Sequence, residues 1–305
     1  MVEPSFTGTP HMRTTTYPLM LPVIGLRLLH GRVGSTALMM LLSSAPSIGL
    51  DRKYPYGEYR YLGYCVRAAS YFTRPIEPGD PDISELLFGG SGRFGPLPFS
   101  PQILDRSELE PLVLAHLWSA FSESITAHVS EVRMYAEKLA SPVGRVIDAG
   151  IPLRVVDCLR DPRDILASIR AFSSSINTMG FGQIAGENDD QYLVRFIDVV
   201  SACLNEMAAT PSTVSRIVVR YEDFVSDTSR CAERLGNWIG VDLDSEVINR
   251  PEDELRRHMT SPSPKASIGR WRSDLRPGEA DRIWEALGEL LAPYGYREDG
   301  VLSTT

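Results

Sequence analysis

Leu21-Pro-Val-Ile-Gly-Leu-Arg-Leu-Leu29, then His30-Gly-Arg-Val-Gly-Ser-Thr36, then Ala37-Leu-Met-Met-Leu-Leu42 is the stretch on which the fold turns. Its first nine residues read as a buried strand, with Pro22 confined to the start, where a missing N–H is tolerated. The apolar run is too short to span a bilayer. A glycine-containing loop follows, and then six good helix formers. Strand, loop and helix N-terminus make one unit, the opening of a βαβ wrap. The loop presents backbone N–H groups, the hydroxyls of Ser35 and Thr36, and Arg32 at a helix N-terminus, where the dipole favours negative charge. A strand-to-helix turn capped by Ser35 accounts for the same residues without a ligand. The Gly-Lys-Ser/Thr ending of a Walker A loop is missing.

Further out, Arg154-Val-Val-Asp-Cys-Leu159 and Ser215-Arg-Ile-Val-Val-Arg220 are apolar runs of strand length, and Ile48-Gly-Leu50 is a short edge strand. Helices are expected from Pro162 through Ala171, over 189–208, around Cys231 to Ile239 and over 278–292. From Ser107 to Leu139 the residues Leu112, Leu114, Leu117, Phe121, Ile125 and Val129 recur at helical spacing. Strands alternating with helices predict an α/β fold, a single P-loop-like domain with a central parallel sheet covered on both faces. The domain is expected over 19–297, with a loose N-terminal tail at 1–18 and a C-terminal tail at 298–305. The Pro/Gly-rich segment 75–101 and the Ser/Gly-rich segment 173–188 read as functional loops.

The chain has 305 residues, 43% of them apolar and 23% charged, which excludes fibrous and disordered classes. A net charge of −8 argues against nucleic-acid binding by bulk electrostatics, so any anionic ligand must be held by local groups. Four cysteines lie far apart with no CxxC pair, which signals neither a disulfide framework nor a zinc site; a reduced, cytoplasmic protein without a metal is expected. Neither a signal peptide nor a membrane span is predicted. Of 31 basic residues only Lys53, Lys138 and Lys265 are lysines, a bias that fits a GC-rich bacterial coding sequence.

A second loop bears on the first. Arg160-Asp-Pro-Arg-Asp164 ends one strand and opens a helix, with Pro162 well suited to a first helical position and Ser168 farther along. Asp164 reads as ordinary first-turn charge. Arg160 does not, because a cation near a helix N-terminus opposes the dipole, and an anionic partner resolves that conflict.

With these segments in order, the chain resembles the sulfotransferases that use 3′-phosphoadenosine-5′-phosphosulfate (PAPS) and release the bisphosphate PAP. Arg32-Val-Gly-Ser-Thr36 is similar to that family's 5′-phosphosulfate loop, and Arg160 with Ser168 to its 3′-phosphate pair. Tyr221-Glu-Asp resembles a strand-end segment, and Ser267-Ile-Gly-Arg-Trp271 a late segment that closes over the nucleotide. An arginine at position 32, where the cytosolic branch has lysine, makes the chain look closer to the tyrosylprotein and carbohydrate branches.

The resemblance implies nucleotide contacts from Arg32, Val33, Gly34, Ser35, Thr36, Ala37, Arg160, Ser168, Tyr221, Ser267, Gly269, Arg270 and Trp271. It implies that Arg32 and Lys138 act on the sulfonate and leaving oxygens. For Lys138 a solvated helix-end lysine competes, for Tyr221 plain strand-end packing, and for Trp271 a structural tryptophan. Ser261, Ser263 and Ser267 are candidate donors to the sulfonate, with a Ser/Pro loop the simpler reading of all three. The residue that aligns with the tyrosylprotein branch's glutamate is Lys53, so the general base does not transfer. Asp51 is the first candidate and Glu58 the second, ahead of His116 and His128. The implied acceptor is a hydroxyl on a small molecule or carbohydrate, with no nucleic-acid or membrane partner. A nucleotide-dependent kinase or NTPase, and a non-catalytic nucleotide-binding protein, are the alternatives.

Overall fold

The computed structural model describes residues 19–52, 59–73, 106–139, 142–178, 182–249 and 259–302. Its central strand is β1 (Val23–Leu28), buried along nearly all its length. Around it lie β2 (Ile48–Gly49), β3 (Met134–Lys138), β4 (Leu153–Leu159) and β5 (Ser215–Arg220), in the order β2-β3-β1-β4-β5. Every pairing is parallel. The expected α/β class, with a parallel sheet between helical layers, is what the chain forms.

The helices are α1 (Ser35–Leu42), α2 (Tyr61–Thr73), α3 (Arg106–His128), α4 (Val143–Asp148), α5 (Pro162–Ile176), α6 (Asp189–Ala208), α7 (Tyr221–Ser226), α8 (Thr228–Ile239), α9 (Trp271–Asp274) and α10 (Glu279–Leu291). The step from β1 to β2 runs toward one edge of the sheet, and every later crossover runs the other way. Right-handed crossovers therefore put α1 on one face and α2 to α6 on the opposite face. Side chains agree. From the first face Lys138 reaches Thr36 of α1, and Arg154 donates to the carbonyl oxygens of Trp238 and Ile239 in α8. On the second face Arg27 is paired with the fully buried Asp157 at 2.7 Å and donates to Thr210 just beyond α6. A separate apolar cluster there joins Leu21, Val23 and Tyr135 to Leu62, Leu114 and Trp118 of α2 and α3.

The helical expectation over 107–139 needs correcting. The helix ends at His128, and Met134–Lys138 is a strand between β1 and β2. Beyond Val129 the chain no longer presents one apolar stripe; in Tyr135, Ala136, Glu137 and Lys138 consecutive side chains are all buried, as in a strand covered on both faces. Tyr221–Ser226, at the end of β5, is a short helix, and α5 runs on to Ile176, where Asn177 closes it in the left-handed conformation. Near the chain's end the carbonyl oxygens of Arg297 and Glu298 accept from Arg163, and Leu302 packs on the main core. The tail 1–18 lies outside the described residues, as do the loop 75–101 and positions 179–181 of the other loop. Among the described residues no helix is long and apolar enough to cross a membrane.

Candidate nucleotide site

α1 and α5 leave the carboxyl ends of adjacent strands β1 and β4 on opposite faces of the sheet. Their loops diverge and open a crevice of the kind in which such sheets hold ligands. The first loop bends sharply: Arg32 has φ 71° and Gly34 φ 79°. A Cβ on Gly34 would lie 2.6 Å from Tyr221 Cδ2, so the position needs glycine for space as well as for its backbone angle. Gly34, not Ser35, is the N-cap of α1, and as a glycine it brings no side chain to the first turn. The expectation of a turn closed by Ser35 is thereby corrected. Val33 is buried in the core and Ala37 packs against it, so their side chains belong to the core.

Arg32 turns its side chain toward α5. Its Nε donates to Ser168 Oγ at 3.1 Å, and its guanidinium lies 4.7 Å from the centre of the Phe172 ring. Burial, then repulsion by Arg160 and Arg270, pulls its pKa down to about 10. Arg160 ties two segments together, donating from Nη1 to Arg32 O at 2.9 Å and from Nη2 to Ser267 O at 2.8 Å. Its guanidinium lies 4.3 Å from the Tyr221 ring centre, and its buried Nε has no hydrogen-bond partner among the described residues. Tyr221 shares a hydrogen bond of 2.9 Å with Ser267 Oγ. Arg270 donates to Thr260 O and Oγ1, both at 2.9 Å, and pairs with Asp274. Thr260 Oγ1 in turn lies 3.4 Å from Ser168 Oγ. Three guanidinium groups and four hydroxyls from four separated segments thus converge.

Lys138 is buried at the end of β3, 3.3 Å from Thr36 Oγ1. The alternative of a solvated helix-end lysine is corrected by that placement. Trp271 carries the guanidinium groups of Arg163 and Arg272 at 4.1 and 4.4 Å from its ring centre. Gly269 N is engaged by Asp164, and Ser263 Oγ accepts from Ala266 N. Asp51 sits half-buried just beyond β2, while Arg52 next to it donates to the carbonyl oxygens of Ala45 and Ile48. Glu58 and Lys53 lie outside the described residues. His116 and His128 are on the exposed side of α3, each bonded to the carbonyl four residues back.

Over 92% of this chain and 97% of the partner, the structure superposes on the sulfotransferase domain of the Synechococcus PCC 7002 olefin synthase, with a TM-score of 0.52 at 18% identity. The chain has the sulfotransferase fold. A sulfotransferase from Mycobacterium avium aligns over 90% of this chain and 77% of that one, with a TM-score of 0.48 at 15% identity. Carbohydrate sulfotransferase 1 of Mus musculus is 25% identical over 167 residues, 50% of this chain. Those residues are 41% of the mouse protein, so the chain spans less than half of that relative's length. No family model matches.

Within this sulfotransferase fold, two carboxylates escaped the sequence. Glu137, fully buried on β3, accepts from the N–H groups of Leu62 at 2.9 Å and Gly63 at 3.1 Å and so caps α2. Burial pushes its pKa up to about 7 against those two hydrogen bonds. Its signal was an acidic residue inside a fully buried strand, which was invisible while 107–139 read as helix. Asp164 is buried too, and accepts from Gly269 N and Trp271 N. Thr260 left no signal at all in its Ser/Pro-rich surroundings.

Proposed function

We propose that this chain is a PAPS-dependent sulfotransferase that sulfates a hydroxyl of a small-molecule or carbohydrate acceptor. The observation that carries the proposal is the convergence of Arg32, Arg160 and Arg270 with Ser168 and Thr260 beside the glycine-capped first turn of α1. The residues fit a bisphosphorylated nucleotide: the buried Arg160 Nε is a donor without an acceptor, and Arg32 is held among like charges that an anion relieves. A buried cluster of cations is costly unless a counter-charge completes it.

When bound, the donor supplies an activated sulfuryl group, transferred by in-line displacement at sulfur. The N–H groups of Gly34 to Thr36 and the Arg32 guanidinium hold the 5′-phosphosulfate. Ser168, Arg160 and Arg270 hold the 3′-phosphate, and Tyr221 borders the nucleotide. Lys138, buried beside Thr36 at the end of β3, stabilises charge on the leaving and sulfonate oxygens. Asp51, beyond the edge strand, takes the acceptor proton. The expected cytoplasmic location rests on the cysteine usage.

A kinase has less support. The loop has arginine where a P-loop has lysine, and Asp157, the carboxylate of β4 that a magnesium site would draw on, lies inside the strand and is fully buried on Arg27. The test is mass spectrometry of a panel of hydroxyl compounds incubated with PAPS, with and without EDTA. A sulfonate mass gain insensitive to EDTA is expected. PAP binding without turnover on any acceptor makes the chain a binding protein, and an EDTA-sensitive phosphoryl gain from ATP makes it a kinase.

A further inference from the structure

Asp164 opens a second role for the RDPRD run. Its carboxylate is 1% exposed and both oxygens are used, Oδ2 by Gly269 N at 2.7 Å and Oδ1 by Trp271 N at 3.0 Å. The partners lie 105 and 107 residues away, so this is not the solvated first-turn charge that merely faces a helix dipole. Two more residues of the same run hold the same segment: Arg160 donates to Ser267 O at 2.8 Å, and Arg163 lies 4.1 Å from the Trp271 ring centre. Gly269, at φ 73°, makes the turn between them.

The residue between the two clasped N–H groups is Arg270. Its main chain is pinned on both sides, and that sets the line along which its side chain reaches Thr260 O and Oγ1 at 2.9 Å. Among the described residues the Asp164 carboxylate is hydrogen-bonded to backbone N–H groups, with the Arg160 charge acting on it from nearby. We propose that Asp164 is a positioning residue, a buried clasp that fixes Arg270 and the Thr260–Ser168 hydroxyl pair for the 3′-phosphate; this rests on the nucleotide assignment proposed above. A carboxylate suits the task better than an amide, because it offers two acceptors to two N–H donors in a dry setting. Burial works against the charged form and raises its pKa to about 6, a cost that two backbone donors offset.

The experiment titrates the full chain with PAP and with adenosine 5′-monophosphate by calorimetry, for wild type, Asp164→Asn, Arg270→Ala and the double variant. Asp164→Asn keeps the size and one acceptor oxygen but turns an NH₂ on a backbone donor. PAP affinity is expected to fall about 10-fold and 5′-monophosphate affinity less than about 2-fold, because one clasp of the 3′-phosphate side is lost. In the Arg270→Ala background the same substitution should cost less than about 2-fold, since the clasp acts through the arginine. Equal losses for the two nucleotides, or additive losses in the double variant, overturn the proposal. A thermal melt without nucleotide reports whether Asp164→Asn is folded. Should it not fold, Arg270→Ala alone decides, for unchanged PAP selectivity in that variant also overturns the proposal. A wild-type chain that binds no PAP overturns the nucleotide assignment, and the clasp's purpose with it; a wild type that binds PAP beside insensitive variants overturns the clasp alone.

Discussion

Replacing Gly34 by alanine tests the first loop where it is tightest. The backbone there is left-handed, φ 79°, and an L-residue with a Cβ is about 1–2 kcal/mol worse in that region than glycine. The added methyl meets Tyr221 Cδ2 at 2.6 Å and Cε2 at 3.0 Å. That ring has little freedom to retreat, with Arg160 at 4.3 Å from its centre and its hydroxyl on Ser267 at 2.9 Å. Overpacking of this sort costs about 1–3 kcal/mol. Gly34→Ala is therefore expected to lose roughly 2–5 kcal/mol, measured as a shift of the urea midpoint at constant slope. Tyr221→Ala made alongside it removes the clash and leaves the backbone part. The coupling energy of the cycle should then be about 1–3 kcal/mol. A Gly34→Ala chain within about 0.5 kcal/mol of wild type refutes the close approach of loop and tyrosine. A cycle with no coupling does the same.

Arg160→Ala should weaken PAP by about 1.5–3 kcal/mol more than it weakens the 5′-monophosphate, the loss of one charge-assisted contact to the 3′-phosphate; equal losses in calorimetry reject that role. Lys138→Ala should lower kcat in a sulfuryl-transfer assay with the PAPS dissociation constant nearly unchanged, and an untouched kcat removes it from the mechanism. Asp51→Asn should bind PAPS normally and turn over about 10²–10⁴ times more slowly; a rate within a few-fold of wild type dismisses it as the base. Glu137, at about 7 in the folded chain against 4.5 unfolded, contributes stability that is fully present below pH 4.5 and lost as pH rises through 7. The ceiling of that contribution is about 3 kcal/mol. Denaturant melts of Glu137→Gln should show a shallower fall in stability between pH 5 and 7, and an unchanged slope refutes the assignment.

The β1–loop–α1 unit was legible because three signals agree in it: a continuous apolar run, a glycine loop and a run of helix formers. The same holds for β4 with α5, where Pro162 marks the helix start and Asp161 caps it by accepting from Arg163 N. Strand β3 was not legible. An apolar spacing that is truly helical as far as Val129 runs into it, and Glu137 and Lys138 look like surface charge until the neighbouring strands are in place. The meeting of Arg32 with Ser168 was only half legible. Each residue stood out in its own motif, but their contact depends on the left-handed angle at Arg32, which no propensity suggests for arginine. Asp164 shows the opposite failure. Its position in the first helical turn supplied a sufficient local explanation, and its real partners lie in a segment no local pattern connects to it.

The place of β1 at the middle of the sheet bears on how the chain is made. β1 precedes every other described strand in the chain, yet β4, which lies beside it, is distant by 130 residues, as the Arg27–Asp157 pair records, and β3 also comes after the whole of α3. At about 5–20 residues per second, an emerging chain carries Val23–Leu28 and the apolar side of α1 without their sheet for on the order of 10 seconds. Closing so long a loop with a parallel pairing is intrinsically slow as well. The segment that opens the crevice is thus the one that waits longest for its neighbours among the described strands, and during translation it is the stretch most exposed to wrong partners. Folding yield in the cell should depend on holdase chaperones, and on the rate at which residues 43 to 152 leave the ribosome, more than on the final stability of the sheet.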